Sequence, residues 1–239
     1  MFEAFYQSPQ QHPVLLFLAC ALGAAIASGG QARVHPSVRA YAALLVVVAA
    51  LDAWLTSNDI PLIGALPGAL GTVIPVAFVI IGDLRYLLLA EVLTDEGALR
   101  ITRRGLVRAL AWAFLVPVLA QLMVRFVWHS EESRVLFLTY EVLFFALILA
   151  RVPYVRRALP GRTARAWHAR QSALALAWYG TWITADVLIL FLQLDVGYLA
   201  RVVPNVLYYG AMPAVLVLSA PTYAAAHAPP HPSDTATPP

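Results

Sequence analysis

The sequence predicts an all-α polytopic membrane protein, a bundle of seven transmembrane helices with its N-terminus outside and its C-terminus inside. Three observations carry this reading. Charged residues make up only 12% of the chain and hydrophobic ones 61%, whereas about a quarter of a soluble domain is charged; the mean hydropathy is +0.73. Apolar runs recur at the length needed to span a bilayer, roughly 20 residues, and leave room for little else. The arginines, finally, gather in alternate connections, as they do in loops on the cytoplasmic side of a membrane.

The elements follow in order. A polar lead, residues 1–12 with Glu3 as its only charge, precedes a first span at about 14–29. Ala25-Ile26-Ala27 resembles a signal-peptidase site, but the positive charge of a signal peptide should come first and here Arg33 and Arg39 come after. The first helix is therefore expected to be retained, with Ala19, Gly23 and Ala27 as a small-residue face for close packing. The second span is expected at about 38–56 and the third at about 66–92, after a turn at Asn58-Asp59-Ile60-Pro61. The fourth follows at about 107–128, the fifth at about 135–150, the sixth at about 172–192 and the seventh at about 197–219. Pro75, Pro117 and Pro204 fall inside spans and free backbone carbonyls there. Residues 220–239 carry many prolines and few large apolar residues, so a disordered cytoplasmic tail is expected.

Orientation comes from arginine alone, since the chain has sixteen basic residues and no lysine. Arg33 and Arg39 follow the first span, Arg100, Arg103, Arg104 and Arg108 the third, and Arg151, Arg156, Arg157, Arg162, Arg165 and Arg170 the fifth. Arg125, Arg134 and Arg201 fall on the other side and Arg85 inside a span. The positive-inside rule then puts the three richest loops in the cytoplasm.

With depth counted at about 1.5 Å per residue, Asp52, Gln121, Arg125 and Asp186 fall in the outer third of the outward-running helices. Glu141, Arg201 and Asn205 fall in the outer half of the inward-running ones. An ionisable group in a membrane is costly, faces the bundle interior and takes a partner. Residues four apart share a helix face, so Trp178, Trp182 and Asp186 make one polar stripe and Arg201, Asn205, Tyr208 and Met212 another. These groups form the candidate binding set, with Trp182, Tyr208 and Tyr140 as aromatic walls. Asp83, Arg85 and Glu91 form a secondary cluster expected in the inner half of the third span.

Several chemistries are excluded. Without lysine there is no Schiff base to retinal or pyridoxal phosphate. His12, His35, His129 and His168 are expected in loops or at interfaces and His227 and His231 in the tail, so no intramembrane histidine is expected to hold haem. HExxH and CxxC metal spacings are absent, as are glycine-rich phosphate loops. The single cysteine, Cys20, has no intrachain partner for a disulfide. No nucleophile pairs with a base, which disfavours an enzyme. The net charge of +3 is accounted for by the topology of the loops, so no nucleic-acid partner is implied.

A faint internal repeat runs through the chain. Leu16 to Leu18 and Leu136 to Leu138 are both LFL, each is followed by a basic segment (RVHPSVRA, RVPYVRRA), and then Asp52 matches Asp186 and Pro75 matches Pro204. The expected 3+1+3 pseudo-repeat is similar in layout to SWEET sugar transporters and microbial rhodopsins; parallel repeats of this kind occur in transporters. The expected function is a multi-pass protein of a bacterial-type inner membrane with an outward-facing polar and aromatic pocket for a small polar solute, in transport or sensing. The alternatives are a non-catalytic subunit of a membrane complex and, last, an intramembrane lipid-modifying enzyme.

Overall fold

The computed structural model describes residues 1–56, 69–94, 96–159 and 161–223. Within them the chain is 85% helical and contains no strand. A short helix α1 (Phe2–Tyr6) is followed by α2 (Gln10–Arg33), α3 (Pro36–Leu55), α4 (Ala69–Val92), α5 (Arg103–Trp128), α6 (Ser133–Ala158), α7 (Arg162–Leu190) and α8 (Val196–Ser219). Six of these, α2, α3, α5, α6, α7 and α8, are by length and composition apolar enough to cross a membrane. Helices suit that solvent because each satisfies its own backbone groups where no water can. The expected turn at Asn58 to Pro61 lies outside the described residues, as does all of the expected tail beyond Tyr223.

The interior is built where small residues let backbones meet. Ala19, Gly23 and Ala27 are buried on one face of α2, and a Cβ built on Gly23 would collide with the Gly210 carbonyl of α8. A Cβ on Gly210 would in turn collide with the Ala19 carbonyl, so the two helices touch backbone to backbone. Around this seam pack Leu45, Leu87, Phe144, Ile148, Trp167, Trp178, Tyr179 and Leu216. On α5 the buried face is Gly105, Ala109, Ala113, Val116 and Ala120.

Two ends can be told apart. At one, the N-terminal segment and the α7–α8 turn come together, with the Met1 ammonium and the Phe2 and Glu3 amides donating to the Asp195 carboxylate at 2.9 Å each. At the other, the Leu99 amide donates to Ser37 Oγ at 2.9 Å, and His35 meets Tyr223 edge to face with ring centroids 4.8 Å apart. That second end collects the arginine-rich connections. Glu91 is clamped there by Arg151 at 2.8 Å and Arg108 at 2.6 Å, which joins α4 to α6 and α5.

Three local features differ from the expected boundaries. The long basic loop between the fifth and sixth spans is mostly helix: α6 runs on to Ala158 and α7 starts at Arg162. Arginine is a good helix former, and the arginine-bearing turns extend both helices past their apolar cores. His168 consequently lies inside α7, 1% exposed and stacked on Tyr86, rather than at an interface. At the other end of the chain, residues 1–12 form α1, a turn and the kinked first residues of α2 rather than a plain lead. His12 is extended (φ −135°, ψ 108°), as a residue before proline prefers, so the segment ahead of Pro13 folds back as a separate piece.

Candidate functional site

Helix α8 sets the site. Pro204 follows the Arg201 turn and Pro213 lies downstream, and between them Leu207–Ala211 forms a widened π turn. One extra residue in a turn shifts the helix face, so the consecutive residues Tyr208 and Tyr209 are both buried. Their rings are 5.0 Å apart and edge to face. The Tyr208 hydroxyl lies in the notch left by Gly82 on α4, where any Cβ would strike it. Under the ring sits the Arg85 guanidinium, 4.2 Å from its centroid.

Above this aromatic floor is an ion-pair layer. Arg201 Nη1 donates to Asp186 Oδ1 of α7, and Arg134 Nη1 of α6 donates to the same oxygen at 3.1 Å. Arg201 Nη2 lies 3.6 Å from Glu141 Oε1. Arg201 Nε donates to the Tyr6 hydroxyl of α1 at 3.1 Å, which ties the N-terminal segment onto the layer. Trp182 Nε1 donates to Asn205 Oδ1 at 3.0 Å and so fixes the amide of Asn205. Asp186 has no exposed surface.

Between floor and layer is a cavity of about 360 Å³. Its charged lining is Asp52, Asp83, Glu141 and Arg201, and its rings include Tyr6, Tyr140, Tyr179, Trp182, Tyr208 and Tyr209. Gln7, Gln11 and His12 of the N-terminal segment cover it, with His12 Nε2 3.1 Å from the Ala53 carbonyl oxygen. Tyr179 donates its hydroxyl hydrogen to Asp83 Oδ1. Glu141 Oε2, Asp83 Oδ2, the Tyr140 hydroxyl and Gln11 Nε2 are buried without a hydrogen-bond partner in the protein.

Of the residues singled out from the sequence, Asp52, Glu141, Tyr140, Trp182, Arg201, Asn205 and Tyr208 all line this one cavity. Asp186 stands behind Arg201 as its anchor. Gln121 and Arg125 do not join them: both are exposed on the side of α5, one residue past the buried Ala120 and Val124. Arg125 instead lies 5.8 Å over its neighbour Phe126. Met212 is buried in the core and Trp178 packs edge to face behind Tyr208, 5.8 Å away.

The expected inner cluster splits: Asp83 and Arg85 stay within electrostatic reach of each other, and Glu91 leaves them. Asp83 lines the cavity, Arg85 lies beneath Tyr208, and Glu91 belongs to the separate clamp with Arg151 and Arg108. Sequence reasoning also missed Arg134, Tyr179 and Tyr6. For the first two a signal existed: Arg134 precedes Glu141, and Tyr179 precedes Asp186, by seven residues, two helical turns on the same face. Nothing in the sequence marked Tyr6, whose place depends on the fold-back before Pro13.

No family model matches this chain, and neither a curated protein nor a solved structure matches it. The functional reading rests on the cavity itself.

Proposed function

We propose that the protein is a seven-span membrane protein, N-terminus outside, whose cavity receives a small polar solute from the extracytoplasmic side for transport or sensing. In this reading α4 is the seventh span, and the arginine-rich end is cytoplasmic under the positive-inside rule. What supports it most is one observation: acidic groups from three helices, Asp52, Asp83 and Glu141, converge with Arg201 on one aromatic-walled cavity. Ligand sites of this size are concave and apolar with a few convergent polar groups. Charges held in a membrane interior are expected to serve function.

A ligand-binding role requires a path from one side of the membrane. With Cys20 replaced by Ser, an Asn205→Cys variant in intact cells should react with a small membrane-impermeant methanethiosulfonate reagent, and should do so faster when Tyr6 is changed to Ala. Modification only in inverted vesicles, or none at all, overturns the outward-facing reading.

A second reading, a non-catalytic subunit of a membrane complex, is favoured by Gln121 and Arg125 standing exposed on the side of α5. It predicts a partner that copurifies with the wild type and is lost from an Arg125→Ala variant.

A further inference from the structure

The polar groups around the cavity do not balance, and the imbalance has a sign. Arg134 and Arg201 face Asp186 and Glu141, two cations against two anions. Arg85, under the Tyr208 ring, lies within electrostatic reach of both Asp52 and Asp83 and has its own Nη1 and Nη2 without hydrogen-bond partners, so three guanidiniums stand against four carboxylates. Asp83 is left with a phenol as its hydrogen-bond donor, the Tyr179 hydroxyl on Oδ1, while its Oδ2 has no partner. Glu141 Oε2 is likewise unpartnered, as is Oδ2 of Asp186, the carboxyl group that neighbours it. Both side chains are more than nine-tenths buried, Asp83 at 2% exposed and Glu141 at 4%. Buried acceptors without donors are costly and uncommon in folded proteins.

What these groups lack is a cation that brings its own N–H donors. The walls agree, since cations are drawn to the faces of Trp and Tyr rings, and Tyr179, Trp182 and Tyr208 stand in a row with centroids 5.6 Å and 5.3 Å apart. A cavity of about 360 Å³ is far larger than a bare alkali ion needs. On the premise that the cavity is a binding site, we propose that it takes a primary or secondary amine in its ammonium form, seated on Asp83 and Glu141 between the rings of Tyr140, Tyr179, Trp182 and Tyr208. Gln11, with its unpartnered Nε2, offers a donor to an oxygen elsewhere on the ligand.

The test uses the full chain in detergent micelles with four matched probes: 2-phenylethylamine, 2-phenylethanol, phenylacetate and sodium chloride. Binding is read from Trp fluorescence and from the midpoint of thermal unfolding. The expected result is a saturable response to the amine that the alcohol, the acid and the salt do not give. Asp83→Asn should weaken it by about tenfold or more, the order of one charge-assisted hydrogen bond. Tyr179→Phe, which removes the donor on Asp83 and keeps its charge, should bind the amine at least as well as the wild type. That variant carries the test should Asp83→Asn fail to fold: weaker amine binding in it overturns the proposal. An equal response to the alcohol or the acid, or amine binding unchanged in Asp83→Asn, also overturns the ammonium assignment while leaving the cavity a binding site. No response to any probe, with Asn205→Cys still labelled from outside, refutes the ligand class alone; no response and no labelling takes the pocket reading with it.

Discussion

Arg201, at the start of α8, is held against Asp186, fifteen residues earlier on α7, and the carboxylate it meets has no exposed surface. This pair closes the turn between the two helices and presents the rest of the Arg201 guanidinium to Glu141 and Tyr6. One side chain thus joins α6, α7, α8 and the N-terminal segment. Its position also divides the molecule: polar contacts toward the N-terminal end order the cavity's cover, and the tyrosines below form its floor.

Removing one partner from such a buried pair leaves an uncompensated charge, at a cost of roughly 3–5 kcal/mol. Asp186→Ala strands two guanidiniums and should lower the thermal midpoint most. Arg134→Ala should cost about 1 kcal/mol or less, since its side chain is 24% exposed and such pairs are screened by solvent. Arg201→Ala should fall near Asp186→Ala. Thermal unfolding of the three purified variants gives the order, and a larger loss from Arg134→Ala than from Asp186→Ala would contradict the network.

The backbone seam between α2 and α8 makes a second ranking. Gly210→Ala drives a methyl into the Ala19 carbonyl and Gly82→Ala drives one into the Tyr208 hydroxyl, and overpacking of this kind costs about 1–3 kcal/mol. Gly29→Ala meets nothing within 4 Å and should be neutral or stabilising by up to about 1 kcal/mol, the helix-propensity difference. The two destabilised variants should differ in one respect: Gly82→Ala, which displaces a cavity wall, should also alter the Trp fluorescence spectrum. An unchanged midpoint for Gly210→Ala would mean that the two helices do not touch there.

How much of this was legible is clearest on α5 and α8. On α8 the spacing of Arg201, Asn205 and Tyr208 identified a face, and that face lines the cavity. On α5 the reading used depth without azimuth: Gln121 and Arg125 fall near the C-terminal end of the helix, but each is one residue, about 100° of rotation, past the buried Ala120 and Val124. The small-residue stripe Ala109, Ala113, Ala120 was in the sequence and would have corrected this. Asp83 was assigned to an inner cluster by the same use of depth alone, although it stands mid-helix in α4. Tyr6 and Gln11 were not legible, because nothing local says that the chain ahead of Pro13 turns back over the bundle.

The proposed orientation gives a labelling pattern. In a chain with Cys20 changed to Ser, Gln193→Cys at the α7–α8 turn and Arg157→Cys near the arginine-rich end sit at exposed positions on opposite ends. A membrane-impermeant maleimide added to intact cells should modify the first and spare the second. The reverse pattern would place the cavity's cover on the cytoplasmic side.

The cover itself should respond to acid through Asp195. The Met1 ammonium, then the amides of Phe2 and Glu3, hold the Asp195 carboxyl down at about 2, from an ordinary 3.8. A depressed carboxylate stabilises the folded contact in full above its ordinary pKa, and the contact is lost as pH falls through the folded value. The latch should therefore be unaffected from neutral pH down to about 4 and should open between about 4 and 2. Hydrogen exchange at the Phe2 and Glu3 amides, corrected for its intrinsic pH dependence, reads this directly. Protection should be constant above about pH 4 and absent at every pH in Asp195→Ala. The Tyr198 hydroxyl, which donates to Glu3 Oε1 at 2.9 Å, supports the same segment independently, so Tyr198→Phe should weaken protection without moving its pH midpoint. Protection already lost near pH 6 in the wild type would assign the latch to some group other than Asp195.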